Sequence, residues 1–139
     1  MTRIDFYIMQ SGETLGRERF SCRLARKAFR LGQRLHIHAD GEADVARLDE
    51  LLWTFSDTSF LPHARLGSDE TVPITLDCTQ SPDPAPDLLI NLAGNIPQFF
   101  SRFPRLVEVV GADDDSRATG REHFRFYRDR GYPLQVHNI

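Results

Sequence analysis

Four arginines recur near the C-terminal end of the chain at a spacing that invites a chemical explanation. Arg117, Arg121, Arg125 and Arg128 stand at i, i+4, i+8 and i+11. At about 100° per residue they fall within an arc of about 80° on one helix face. Phe124 is interleaved with them and Tyr127 lies beside them. Like charges one turn apart destabilise a helix, so such a ladder calls for a partner. Glu122 and Asp129 relieve it only in part. The guanidinium is a planar fork that grips carboxylate or phosphate at two points. Arginines interleaved with aromatics therefore suit an acidic peptide with an apolar end, or a single nucleic-acid strand. A merely solvated basic face is the plain alternative.

A second grouping is apolar. Val45, Leu48, Leu52 and Phe55 share one sector of a helical wheel, and Trp53 falls well outside it. Phe60 and Pro62 follow within ten residues, in a segment that Pro62 keeps from continuing the helix. Two aromatics and a proline near one surface make an anchor site for a partner chain; packing of Trp53 under the following loop is the equal alternative.

Signs of catalysis are weak. No Ser, His and Asp grouping reads as a triad, and Gly-x-Ser-x-Gly is absent. The first turn, Gln10-Ser11-Gly12-Glu13-Thr14-Leu15-Gly16, lacks both the dinucleotide fingerprint and the phosphate-loop ending, and Glu13 would repel a pyrophosphate. Asp40 could bind a ribose but reads more simply as a turn residue. His36 and His38 share a strand face, without the neighbours a metal site needs. Asp113, Asp114 and Asp115 are explained by helix capping. Cys22 and Cys78 have no metal-type spacing and read as reduced thiols. The expectation is no catalytic residue, no metal and no cofactor.

The elements that must position these residues alternate. Ile4–Ile8, 35–39, 72–79, 88–92 and 105–110 read as strands. Phe20, Leu24, Ala28 and Leu31 mark a first helix stopped by Gly32, and Val45 to Phe55 a second. A short helix is expected over 97–103, and a last helix runs from Asp113 to a stop at Gly131. Ser81-Pro82-Asp83-Pro84-Ala85-Pro86 is a loop. Continuously apolar strands suit a sheet covered on both faces, so the fold class is α/β: a three-layer Rossmann-like sandwich with a mostly parallel sheet, formed by one domain over 1–139.

The net charge of −3 argues against wrapping bulk nucleic acid. It conceals local patches, however: residues 17–34 carry seven cations against Glu18, while 40–50 are acidic. No apolar run reaches membrane-spanning length and no secretion signal is visible, so a cytoplasmic location is expected.

Taken in order, Leu48-Asp49-Glu50-Leu51-Leu52-Trp53, Ser59-Phe60-Leu61-Pro62-His63, Leu89-Ile90-Asn91-Leu92 and Arg121-Glu122-His123-Phe124-Arg125-Phe126-Tyr127-Arg128 resemble the chi subunit of bacterial DNA polymerase III holoenzyme. The resemblance spans nearly the whole chain and is loose over 67–86. It implies a Rossmann-like fold without a nucleotide and a non-catalytic accessory subunit of the clamp-loader assembly in DNA replication. It further implies pairing with the psi subunit through Trp53, Phe60 and Pro62. It implies binding of the acidic, Pro-Phe-ended C-terminal tail of single-stranded DNA-binding protein by Arg117, Arg121 and Arg125, with Val110 and Phe124 as apolar neighbours and Arg128 beside them. Some members carry lysine where this chain has Arg117 and Arg125. DNA contact would then be mainly indirect; direct binding of single-stranded nucleic acid, through the same helix and residues 17–34, is the competing expectation, and a nucleotide-dependent enzyme is a third.

Overall fold

A computed structural model describes all of the chain except Thr14, Ser59 and Glu70. The parts of the first turn, the Ser59–His63 stretch and the 67–86 segment that fall on these three residues lie outside the described residues. Strand β1 (Arg3–Ile8) leads to helix α1 (Gly16–Arg30), β2 (Leu35–His38), α2 (Glu42–Thr54), β3 (His63–Arg65), β4 (Ile74–Asp77) and β5 (Leu88–Asn91). A 3-10 turn (Phe100–Arg102), β6 (Arg105–Val110), α3 (Asp114–Asp129) and β7 (Leu134–Asn138) complete it. Among the described residues the strands form one seven-stranded sheet in the order β3-β4-β2-β5-β6-β1-β7, and every pairing is parallel.

A parallel sheet needs cover on both faces. Helices α1 and α2 cover one, where Cys22, Ala25, Ala28, Val45, Leu48 and Leu52 pack on Ile37, Leu76, Ile90 and Val107. Helix α3 and the 3-10 turn cover the other, where Tyr127, Phe100 and Phe103 pack on Ile4, Phe6, Leu89 and Leu106. This is the expected three-layer arrangement. The side of α1 that meets the sheet is built of small residues, Ser21, Cys22, Ala25 and Ala28, so the helix axis sits close to it. Leu31, expected on the core stripe, is 68% exposed, because the helix ends at Arg30 and Leu31 is only its cap.

The last helix begins as its sequence dictates. The Asp113 carboxylate accepts from the Ser116 N–H at 3.0 Å, satisfying a free donor of the first turn. Gly131 follows the helix end with φ of +80°, a conformation that suits glycine. Two strands, β3 and β7, had no counterpart in the sequence reading; both lie at sheet edges.

Candidate docking surfaces

Helix α3 meets the sheet through Gly120. A Cβ placed there would stand 2.8 Å from Val110 Cγ2 and 3.1 Å from Cγ1, so only glycine permits this approach to β6. Beside the contact lies a slot lined by Phe6, Ile8, Val110, Gly120, Phe124 and Val136, with Arg117 and Arg121 at its edge, and a volume of about 240 Å³. Phe124 is half-buried and meets Phe6 edge-on at 5.4 Å. The slot opens where β7 extends past the helix: Val136 pairs in register with Phe6.

The arginines of α3 have different tasks. Arg117 is half-buried; its Nε donates to the Gly111 carbonyl at 3.1 Å and its Nη2 to that of Met9 at 2.9 Å. It thereby joins the ends of β1 and β6 and holds one wall of the slot. Arg128 pairs with its neighbour Asp129 at 3.1 Å. Arg121 and Arg125 are exposed, and neither has an ion pair or side-chain hydrogen bond among the described residues. The slot therefore adjoins Arg121, whose charge meets no ion pair among the described residues, and Arg125 stands one helical turn further along α3.

Beneath α3 is a buried polar cluster. Glu108, on β6, accepts from the Tyr127 hydroxyl at 2.7 Å and from Asn91 Nδ2 at 3.0 Å, and lies 3.0 Å from His123 Nδ1. His123 Nε2 faces the Gly94 carbonyl at 2.9 Å. Both ring nitrogens thus face acceptors, which favours the doubly protonated imidazolium. Burial alone would lower the His123 pKa; the hydrogen bond and charge of Glu108, aided by Gly94, hold it above the ordinary histidine value. Burial, then the adjacent carboxylate, pushes the Tyr127 phenol far up, so it stays a donor. The cluster fixes the rotation of α3, and with it the direction of the arginine row.

The second surface lies on the opposite layer. Trp53 leaves the core stripe of α2 and is 46% exposed; Phe60 is 68% exposed and Pro62 half-buried. The two aromatic rings lie 5.3 Å apart. Under Trp53, 4.3 Å between ring centroids, is buried His63, held between the Leu61 carbonyl at 2.6 Å and the Asp49 carbonyl at 3.0 Å. Trp53, Thr54, Ser56, Asp57 and Phe60 border an open cleft of about 490 Å³. Trp53 and Phe60 are in ring contact, Pro62 lies two residues beyond Phe60, and His63, which the sequence pattern does not single out, packs beneath Trp53.

Gly120, Phe6, Ile8 and Val136 also escaped the sequence reading. A glycine in the middle of a helix was the available signal, since it costs about 1 kcal/mol relative to alanine and so marks close packing. Val136 could not be placed while β7 was unrecognised.

The other candidates have structural partners. His36 is buried, with Nδ1 at 2.7 Å from Thr75 Oγ1 and Nε2 at 3.1 Å from the Gln80 carbonyl. Its neighbour on that face, His38, meets Phe99 edge-on. Asp40 accepts from the Gly94 N–H at 2.8 Å, as a turn residue would. Cys22 and Cys78 are free thiols. Among the described residues no helix is long and apolar enough to cross a membrane.

Comparison with known proteins finds relatives along nearly the whole chain. The chain is 40% identical to the DNA polymerase III subunit chi of Pseudomonas aeruginosa over 139 residues, covering all of this chain and 98% of that one. It is 31% identical to the subunit chi of Haemophilus influenzae, covering 96% and 95% of the two chains. The corresponding protein of Escherichia coli is 28% identical over 98% and 97%. The family model described as DNA polymerase III chi subunit, HolC, matches residues 1–135, and the chain belongs to that family.

Proposed function

We propose that the chain is a non-catalytic connector within the DNA polymerase III assembly, working in the cytoplasm. It joins the psi subunit, through Trp53, Phe60 and Pro62, to the acidic C-terminal tail of single-stranded DNA-binding protein, through α3. The observation that carries the tail reading is the apolar slot edged by Arg121, with Arg125 one turn further along the helix, neither in an ion pair among the described residues. An apolar cavity of about 150 Å³ can hold benzene, so a slot of about 240 Å³ has room for one phenyl group. The terminal Phe would enter between Phe124, Val110 and Val136, while tail carboxylates pair with Arg121, Arg125 and, after exchange with Asp129, Arg128. Arg117 contributes positive potential and the slot wall, since its guanidinium already binds two carbonyls.

Direct binding of nucleic acid on α3 is less well supported by this geometry. Phe124 is half-buried and packed against Phe6, so it is not a freely exposed platform for stacking a base. Titration with a labelled acidic peptide ending in Pro-Phe, against the same peptide lacking Phe, separates the readings. Burying a phenylalanine side chain is worth about 1.5–3 kcal/mol, so removing it should weaken binding about ten- to a hundred-fold. Equal affinity for both peptides, or for wild type and Arg121→Ala, would sink the slot reading.

A further inference from the structure

Helix α1 repeats the pattern of α3 on the other side of the sheet. Arg19, Arg23, Lys27 and Arg30 also stand at i, i+4, i+8 and i+11, and all four are exposed. The helix carries six cations and one acid, Glu18. Helix physics accounts for part of this: Lys27 and Arg30 lie in the last turn, where the dipole favours cations. It does not account for Arg19 and Arg23. Arg19 closes the first turn, where the dipole opposes a cation, Arg23 stands at mid-helix, where the dipole does not favour one, and each faces a like charge one turn away.

The neighbouring helix α2 is acidic, yet most of its carboxylates are engaged elsewhere. Asp44, together with Glu18 of α1, pairs with Arg47, and Glu42 pairs with Arg65. Arg19, Arg23, Lys27 and Arg30 have no ion pair among the described residues. Arg23 stacks on Phe20 at 5.9 Å, a contact that leaves its charge open to solvent. Phe20, Leu24 and Phe29 are packed against the core, so the row encloses no apolar slot of the kind beside α3, and the exposed Leu31 follows its last member. A partner recognised along the row is thus a line of negative charge.

We infer that the exposed face of α1, through Arg19, Arg23, Lys27 and Arg30, is a contact surface for the phosphate backbone of single-stranded DNA. The four cations rise about 6 Å per step over about 16 Å, nearly twice the 3.4 Å axial repeat of phosphates along one strand of a duplex. An extended single strand, with one phosphate per nucleotide, lies along such a row more naturally than a duplex. Membership of a polymerase assembly places DNA within reach; the inference does not depend on the tail reading of α3.

The test is fluorescence anisotropy of a labelled oligothymidylate with the full chain at several salt concentrations. Four phosphate contacts give a slope of log K on log salt of about −2.8, so affinity falls about fifty-fold between about 50 and 200 mM salt. Arg23→Glu with Lys27→Glu should weaken binding at least tenfold at low salt, and the milder Arg23→Gln with Lys27→Gln should flatten the slope by about 1.4. Arg121→Ala with Arg125→Ala should leave it unchanged. Thermal melts must match wild type; if the reversal variant melts early, the glutamine variant decides. No binding at low salt, tighter binding of duplex or of polyglutamate, or loss with the α3 variant alone would each overturn the inference.

Discussion

Replacing Gly120 with alanine sets two effects of similar size against each other, and the geometry decides between them. In a free helix the change would stabilise by about 1 kcal/mol. Here the new methyl would stand 2.8 Å from Val110 Cγ2, on a β-branched side chain that is itself buried between helix and strand. Val110 has little freedom to turn aside, so α3 must lift by a few tenths of an ångström. Overpacking of this kind costs about 1–3 kcal/mol. The net expectation is a loss of about 1 kcal/mol, a melting temperature lower by about 4 °C for a domain of this size. Because the methyl and the displaced helix both intrude on the slot, affinity for the Pro-Phe peptide should fall about tenfold, equivalent to about 1.4 kcal/mol. Ala118→Gly is the control: Ala118 is exposed on the same helix, and the change costs about 0.5–1 kcal/mol through the backbone alone. Differential scanning calorimetry and peptide titration on both variants settle the matter. A Gly120→Ala protein that melts higher than wild type would refute the tight contact. Tail binding lost equally in both variants would show that stability, rather than the slot, governs affinity.

Trp53→Ala should abolish psi binding in a pull-down while leaving peptide titration on α3 within twofold; loss of both would indicate unfolding around His63. Two histidines shape the pH profile from opposite ends. Burial, then the charge of His38, lowers His36 to about 4, so the stability tied to its neutral form is present above pH 6.5 and lost as pH falls toward 4. That shift is worth about 3 kcal/mol, visible as a falling denaturant midpoint in acid that His36→Gln should blunt. His123 is raised, so its contribution is complete below the unfolded value near 6.5 and fades as pH rises through its folded value. His123→Gln should cost about 3 kcal/mol at pH 6, less at higher pH, because Glu108 is left buried without its cation. A variant whose deficit is the same at pH 6 and pH 9 would contradict the charged pair.

The parts of the fold readable in advance were those whose period and punctuation agree. The continuously apolar 88–92 and 105–110, Asp113 as a cap and Gly131 as a stop all carry local physical reasons that survive folding. Strand β7, Leu134-Gln135-Val136-His137-Asn138, is half-exposed at an edge, so its composition lacks the apolar run that marked its neighbours. Strand β3 is three residues long and follows Pro62, too short for any period to show. The same boundary runs through the candidate sites. Exposed arginines announce themselves by spacing, whereas the slot depends on which strand ends beside which helix. The dual role of Arg117 illustrates this: nothing in its spacing separates it from Arg121, and only the converging ends of β1 and β6 turn it inward.

That inward turn bears on how a Rossmann-like sheet comes to serve docking. In open parallel sheets, ligands ordinarily bind beyond the carboxyl ends of the strands, where backbone groups and helix N-termini are free to meet them. Here those groups are met by the chain itself. Arg17 donates to the carbonyls of Val109 and Leu92, at 2.9 and 3.3 Å, and Arg117 to those of Gly111 and Met9. Ser116 Oγ accepts from the Gly111 N–H and Asp40 from that of Gly94. A nucleotide phosphate entering this crevice would have to displace two charge-assisted hydrogen-bond pairs and approach the carboxylates of Asp40, Asp113 and Asp115, with buried Glu108 behind them. These internal hydrogen bonds tie the strand ends to α1 and α3. The surfaces left to do recognition are then the outer faces of α1, α2 and α3, which present Arg19, Arg23, Arg121 and Arg125, without ion pairs among the described residues, and the exposed Trp53.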